Sequence, residues 1–465
     1  MYDRIKKYIY FFQLAIKGTD EDLTTTSINR AIVLLSIPMV LEMIMESLFA
    51  VVDVFFVSQV STNAVATVGL TESIITIVYS LGIGLSMAAT AMVARRIGEK
   101  KPEEASKTAA QAIVLTIAIS AILGIAGYVF GEEILSLMGG SDELIAEGKW
   151  YTKIMYASSG VIMMLFLING IFRGAGSASI AMRALWISNI LNMLLDPLFI
   201  FGWGPIPEMG VTGAAVATTI GRSVGVIYQL TQLLNKKGII KIYSHYIKPQ
   251  LAIIKRIISI ASGGVGQFLI ESASWIFLTR IMSQFGSEAL AGYTIAIRII
   301  VFTILPSFGI SNAAATLVGQ NLGAKQPERA EKSVWLAARY NVAFLFTVSI
   351  IFYLFTYEIV GFFTDISAVK AEAIKAIRFI CFGYIFFAYG MVVSHAFNGA
   401  GDTRTPSIIN FVCFWLIQIP LSYVLANELG FGTSGVYIAI ISSFSLLAVI
   451  SIIWFKKGKW KLKEV

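Results

Sequence analysis

The sequence predicts an all-α integral membrane fold in which twelve transmembrane helices form two six-helix lobes related by a pseudo-twofold axis. Three observations predict it. The 465 residues are 57% hydrophobic and only 14% charged. Their apolar residues gather in blocks of about 20 or more, the length that crosses a bilayer as a helix. Motifs of the first half also return in the second at a constant spacing. The same composition excludes several function classes. Cys381 and Cys413 sit inside apolar blocks, and His245 and His395 lie far apart, so no disulfide framework or metal motif is spelled out. No nucleophile or His pair marks an enzyme, and no cofactor is expected. The net charge of +8 is expected to mark a basic cytoplasmic face and not a nucleic-acid partner.

Taken in order, residues 1–27 come first. Ile5, Tyr8, Ile9, Phe12 and Ile16 share a helical face away from Arg4, Lys7 and Lys17, the pattern of an amphipathic helix lying at the cytoplasmic surface of the membrane. No small-residue site ends an apolar core as in a cleaved signal peptide. Six spans follow, near 31–57, 64–94, 105–130, 150–172, 178–202 and 210–234, within a first lobe of residues 28–235. A basic cytoplasmic linker covers 236–254. The second lobe, 255–457, holds spans near 255–283, 289–320, 330–356, 375–397, 404–426 and 432–455, and 458–465 is a basic cytoplasmic tail. Lys and Arg collect after even-numbered spans, as in Arg95, Arg96, Lys100 and Lys101, while "SQVSTN" and "GWGPIPE" contain none. Both termini are therefore expected on the cytoplasmic side of the cell (inner) membrane.

The repeat organises the chain. "GEKKPEEASKT" begins at Gly98 and "GAKQPERAEKS" at Gly323, and 323 − 98 = 225; "FRGAG" at Phe172 and "FNGAG" at Phe397 keep the same offset. Gly210 likewise faces Gly435. Six spans per repeat is an even number, so both lobes run in the same sense and are related by an axis along the membrane normal, with a cleft between them. That is the architecture of a transporter.

Span 1 carries three acids, Glu42, Glu46 and Asp53. An ionised carboxylate costs about 2.5–3.5 kcal/mol at the centre of a span. The three lie within roughly 40° of one another around a helix, so they form one stripe facing a wet interior. Span 5 places Asn189, Asn192 and Asp196 on a common face. Glu271 in span 7 echoes Glu46, whereas Leu278 and Leu421 stand where Asp53 and Asp196 would repeat, so the coupling acids concentrate in the first lobe. Such oxygens, with a Thr hydroxyl such as Thr218, suit either proton loading or a hard cation. The structural alternative pairs these acids, Glu42 and Glu72 above all, with Arg222 or Arg298 or with polar groups of neighbouring helices.

Pro38 is followed fifteen residues later by Asp53, "FRGAGSA" is followed by "NMLLDPLFIFG" and "MGVTGAAVATT", and "LVGQNLGAKQPERA" stands in the second half. On these residues, in this order, the chain from 28 to 455 resembles the multidrug and toxic compound extrusion (MATE) transporters. The resemblance implies a V-shaped pair of lobes that exports amphipathic, often cationic, organic compounds by alternating access, against inward H+ or Na+. It also implies cation coupling at Asp53, Asn192, Asp196 and Thr218, where Na+ would bind, and bending of span 1 at Pro38. Glu46 is added to that coupling set for its place on the acid stripe. Glu271 is a candidate second-lobe acid, but the span 10 aspartate of members with a full second-lobe site is replaced near Phe387. Glu42, Tyr79, Phe166, Trp275 and Phe302 are candidate walls of a substrate cavity. A monomer in contact with membrane lipid is expected. A flippase for a lipid-linked intermediate is the alternative; it calls for a basic central cavity, whereas the intramembrane charges here are mostly acidic.

Overall fold

The computed structural model describes residues 2–19, 21–235 and 238–465. Helix α1 (Tyr2–Lys17) precedes the bundle and ends at Gly18, whose φ of 84° only glycine adopts freely. Its Ile9 and Phe12 are exposed. The side chains of Arg4, Ile5, Lys7 and Tyr8, and Lys236 and Lys237 of the linker, lie outside the described residues.

The first half contains α2 (Ile28–Val57), α3 (Thr62–Gly98), α4 (Pro102–Val129), the short α5 (Gly131–Leu137), α6 (Asp142–Ala157), α7 (Ser159–Gly174), α8 (Ala178–Ile200) and α9 (Val211–Leu234). The second half contains α10 (Leu251–Met282), α11 (Ser287–Gly323), α12 (Pro327–Gly361), α13 (Ser367–Cys381), α14 (Tyr384–Gly399), α15 (Arg404–Asn410), α16 (Ile419–Tyr423) and α17 (Thr433–Lys456). Two spans are broken helices: α6 and α7 meet at 41°, α13 and α14 at 58°. Among the described residues ten spans are long and apolar enough to cross a membrane, counting each bent pair once and α15 and α16 with the π-helical turns beside them as one; α2 and α9 bring the helices in chain order to twelve. The break in the fourth span falls at Ser158 and that in the tenth at Phe382 and Gly383, the same place in the repeat. Their polar leading helices begin about eight residues before the apolar blocks at 150–172 and 375–397, with Lys149 and Lys370 ahead of the blocks and Lys153 and Lys375 inside them. In the eleventh span the turns over Phe411–Gln418 and Val424–Glu428 are π-helical and flank Pro420, which has no amide to donate.

Small residues bring the halves together in matched contacts. A methyl group on Gly84 of α3 would stand 2.7 Å from the Ala261 oxygen and 2.9 Å from the Val265 nitrogen of α10. One on Gly309 of α11 would stand 2.8 Å from the Met39 oxygen and 2.6 Å from the Val40 nitrogen of α2. Since 84 + 225 = 309 and 40 + 225 = 265, these are one contact seen twice across a pseudo-twofold axis. Gly98 against Gln320 and Gly323 against Arg95 form a second such pair, at the helix ends that lead into the basic loops. The next turns repeat too: Lys100 and Lys325 hold φ of 60° and 59°. Close backbone approach at glycine is how membrane helices gain packing when lipid offers no hydrophobic drive.

At this end the halves interleave. Ile32, Leu35 and Met39 of α2 pack into the second half's core with Ala313, Leu317 and Val334. Ile257 and Ile260 of α10, the repeat equivalents of Ile32 and Leu35, pack into the first half's core. Chain segments outside the bundle cross the seam as well. Asp22 pairs with Lys100 while Arg329 donates to the Leu23 oxygen at 3.1 Å; Lys463 pairs with Asp402 at 3.3 Å while Arg96 donates to the Val465 oxygen at 3.0 Å. Trp460, fully buried, stacks on Phe455 with centroids 4.5 Å apart.

Gly323→Leu is expected to hold this seam apart. Overpacking costs about 1–3 kcal/mol, or roughly 5- to 150-fold in a two-state equilibrium. Spin labels on the exposed Lys101 and Lys325 sites should show the longer-distance population grow accordingly; an unchanged distribution would contradict close packing at this glycine.

Candidate functional site

The polar interior of the first half is built by four helices. Helix α2 lines up Glu42, Glu46 and Asp53; α8 supplies Asn189, Asn192 and Asp196; α9 supplies Thr218 and Arg222; α3 supplies Glu72 and Tyr79. Asn192 and Asp196 are one helical turn apart, so their side chains meet: Asn192 Nδ2 donates to Asp196 Oδ1 at 3.2 Å and to Thr218 Oγ1 at 3.1 Å. All three are buried, Asp196 completely. Asn192 Oδ1 and Asp196 Oδ2 have no hydrogen-bond partner in the protein. Asp53, partly exposed, lies within Coulombic reach of Asp196, Glu72 and Arg222.

One turn before Asn192 on α8, Asn189 Nδ2 donates to Glu46 Oε2 at 3.1 Å, and Arg222 Nη2 stands 3.7 Å from Glu46 Oε1. The Arg222 guanidinium lies over the Phe49 ring at 5.2 Å and the Tyr79 ring at 5.9 Å, and its Nε and Nη1 are unpartnered. Tyr79 in turn meets Phe166 edge to face at 5.8 Å. Arg222 thus sits as a buried cation among acids and rings. Arg298 of α11 is exposed, within Coulombic reach of Glu72.

The remaining predicted residues fall elsewhere. Pro38 is buried inside a continuous α2. Glu42 is 1% exposed, its carboxylate enclosed by helix packing. Asn169 Nδ2 donates to Glu42 Oε1 at 3.0 Å, Arg173 Nη1 does so at 3.4 Å, and Gln229 Nε2 donates to Asn169 Oδ1. Sequence reasoning missed Asn169, Arg173 and Gln229; Arg173 stood in the quoted "FRGAG" motif. A cavity of about 230 Å3 opens within the second half. Glu271 and Trp275 line it with Tyr384, Phe387 and Phe444, its walls are otherwise apolar, and Phe302 is not among them: it is 43% exposed on α11. Phe387, where an aspartate would complete a second-lobe site, packs on Phe444 with centroids 4.8 Å apart. The polar groups therefore divide unequally between the halves. Among the described residues no three of His, Cys, Asp and Glu are close enough to hold a metal ion.

Twelve spans, a pseudo-twofold seam and an asymmetric buried polar site define a membrane transporter and not an enzyme. The MatE family pattern matches residues 38–198 and again 265–424, once in each half, and the chain belongs to that family of transporters. It is 27% identical over 439 residues to the probable multidrug resistance protein NorM of Thermotoga maritima, covering 94% of each chain. It is 24% identical to the FAD transporter of Shewanella oneidensis, covering 86% of this chain and 88% of that one. Among solved structures, the outward-facing conformation of a multidrug resistance MATE family transporter of the MOP superfamily superimposes with a TM-score of 0.89 at 26% identity, over 95% of this chain and 98% of that one. The fold is the twelve-helix, V-shaped one of these transporters.

Proposed function

We propose that this transporter exports amphipathic, often cationic, organic compounds in exchange for inward H+ or Na+. The observation that carries the reading is the pair of buried, unpartnered oxygens, Asn192 Oδ1 and Asp196 Oδ2, the latter within Coulombic reach of Asp53. A buried carboxylate oxygen without a donor is costly, so such a site is most stable when it holds a proton or a hard cation. Its donors are oxygens only, which suits either ion. Loading it with one H+ or Na+ offsets one negative charge in the field shared by Asp53 of α2 and Asp196 of α8, and the halves rock about the glycine seam because the loaded and empty sites favour different packings. The substrate leaves as the ion enters. The transporter works in the cell's inner membrane with both termini cytoplasmic, as a monomer; the basic loops at the seam support that orientation.

The test is efflux of a fluorescent organic cation from proteoliposomes with a Na+ gradient and a pH gradient imposed separately. Uphill movement under one gradient is expected and names the coupling ion. If neither gradient moves any cation tried, the reading fails, and flipping of a lipid-linked intermediate becomes the next assay.

A further inference from the structure

The repeat that relates the two halves also relates two buried pairs of side chains, and only one pair is charged. Glu42 of α2 and Arg173 of α7 pair across 3.4 Å. Adding 225 to each number gives Gln267 of α10 and Asn398 of α14, which exchange two amide hydrogen bonds of 2.9 and 3.1 Å. At this place the architecture asks for a tie between the first and fourth spans of each half, and neutral amides supply it in the second. The charge in the first half is additional to the tie, and it is expensive: Glu42 Oε2 is buried without a partner. A neutral pair would tie the helices without that cost.

Arg173 is also where the first half touches the second. Its main-chain oxygen accepts from Thr316 Oγ1 at 3.2 Å, and the Gly174 oxygen accepts from Gln320 Nε2 at 3.0 Å, both donors lying on α11. The same Arg173 that answers Glu42 thus ends the helix that meets the seam. We infer that Glu42 and Arg173 form a charge-sensing latch, in which a proton on Glu42 frees Arg173 and loosens the contact of α7 with α11. The inference rests on the alternating-access part of the reading above.

The surroundings give the latch its sign. Ser86 of α3 accepts from Arg173 Nη2 at 3.1 Å, Asn169 of α7 and Gln229 of α9 complete the shell, and the groups of variable charge facing the pair are Glu46 of α2 and His395 of α14. Ionised, Glu42 holds the guanidinium against Ser86. Protonated at Oε2, it leaves a buried cation without a counter-ion, and the end of α7 shifts to solvate it, taking the Arg173 and Gly174 carbonyls with it. Glu46, one turn along α2, joins the latch to the acid site around Asp196. Glu42 and Arg173 are positioning residues, and neither needs to touch substrate.

The double variant E42Q/R173N copies the Gln267–Asn398 pair into the first half. With spin labels at Lys101 and Lys325 in liposomes, the wild-type distance distribution across the seam is expected to change over about pH 5 to 9. The double variant is expected to hold one distribution throughout. A response equal to that of the wild type, or a wild type that does not respond, overturns the latch. E42Q alone leaves Arg173 without a counter-ion, as protonated Glu42 does, and is expected to hold the loosened distribution at every pH; a wild-type response from it overturns the latch too. The label distances need no substrate, so the two readings separate: gradient-driven export with an unresponsive wild-type seam sinks the latch alone, and a seam response lost in E42Q without cation export sinks the export reading alone.

Discussion

Asp53→Asn is expected to abolish uphill export while leaving the protein inserted and folded. The amide keeps the size of the carboxylate and one acceptor, so packing on α2 is preserved; the charge that a coupling proton or Na+ would neutralise on the proposed mechanism is gone. An ion that no longer binds one state more tightly than the other shifts nothing between them. Moving a two-state equilibrium from one side to the other takes about 5.5 kcal/mol of differential binding, so losing the ion's contribution lowers concentrative export by about 100-fold or more. Downhill leakage of substrate is expected to persist. The measurement is initial export rate per reconstituted molecule, with monodispersity checked in detergent. Asp196→Asn should behave alike, because Asp196 Oδ2 is the unpartnered oxygen of the same cluster. Export at the wild-type rate by either well-folded variant would remove the coupling role from this site.

The second large effect concerns stability. Arg222 is 2% exposed and is the buried cation between Glu46, Phe49 and Tyr79. Removing one partner of a fully buried ion pair costs about 3–5 kcal/mol, whereas removing both can be close to neutral; the Glu46 side chain is 22% exposed, so water screens part of the charge left behind and the loss is expected to be smaller than that. Arg222→Met is therefore expected to lower the melting temperature in detergent far more than the double variant Arg222→Met, Glu46→Gln does. Glu46 still accepts from Asn189 in the wild type, and a glutamine at that position keeps the acceptor. The expected signature is non-additivity: the second substitution restores most of what the first removes. Equal losses for the single and double variants would show that Arg222 stabilises through its ring contacts and not through charge.

Much of this was legible in the chain. Hydropathy blocks mark spans because a backbone in lipid must satisfy its hydrogen bonds internally, which forces each crossing into a helix. The offset of 225 anticipated the pseudo-twofold pairing of Gly98 with Gly323 at the seam. Spacing alone placed Asn192 and Asp196 on one face of α8, and the structure joins them through hydrogen bonds and adds Thr218 from α9. The broken spans escaped because hydropathy registers apolar runs, and α6 and α13 begin with charged, half-exposed turns. The partner of Glu42 escaped for another reason. Arg173 lies 131 positions away, on a helix end whose motif gave no hint of direction, and only the superposition of the two repeats points from Glu42 to it through Gln267 and Asn398.

The sequence by itself determined that this protein is a two-fold repeat of six membrane-spanning helices with its acids concentrated in the first half, because composition, periodicity and offset are properties of the chain read in order. Tertiary structure alone decided which acids are enclosed and which are open. Glu42 and Asp53 share one helical stripe, yet the first is sealed against Asn169 and Arg173 while the second remains partly exposed. It also decided that the halves close on each other at the basic end, with α2 and α10 each set into the opposite half's core. Helical phase fixes the direction a side chain takes from its own axis, and only the packing of the other helices fixes what it meets there.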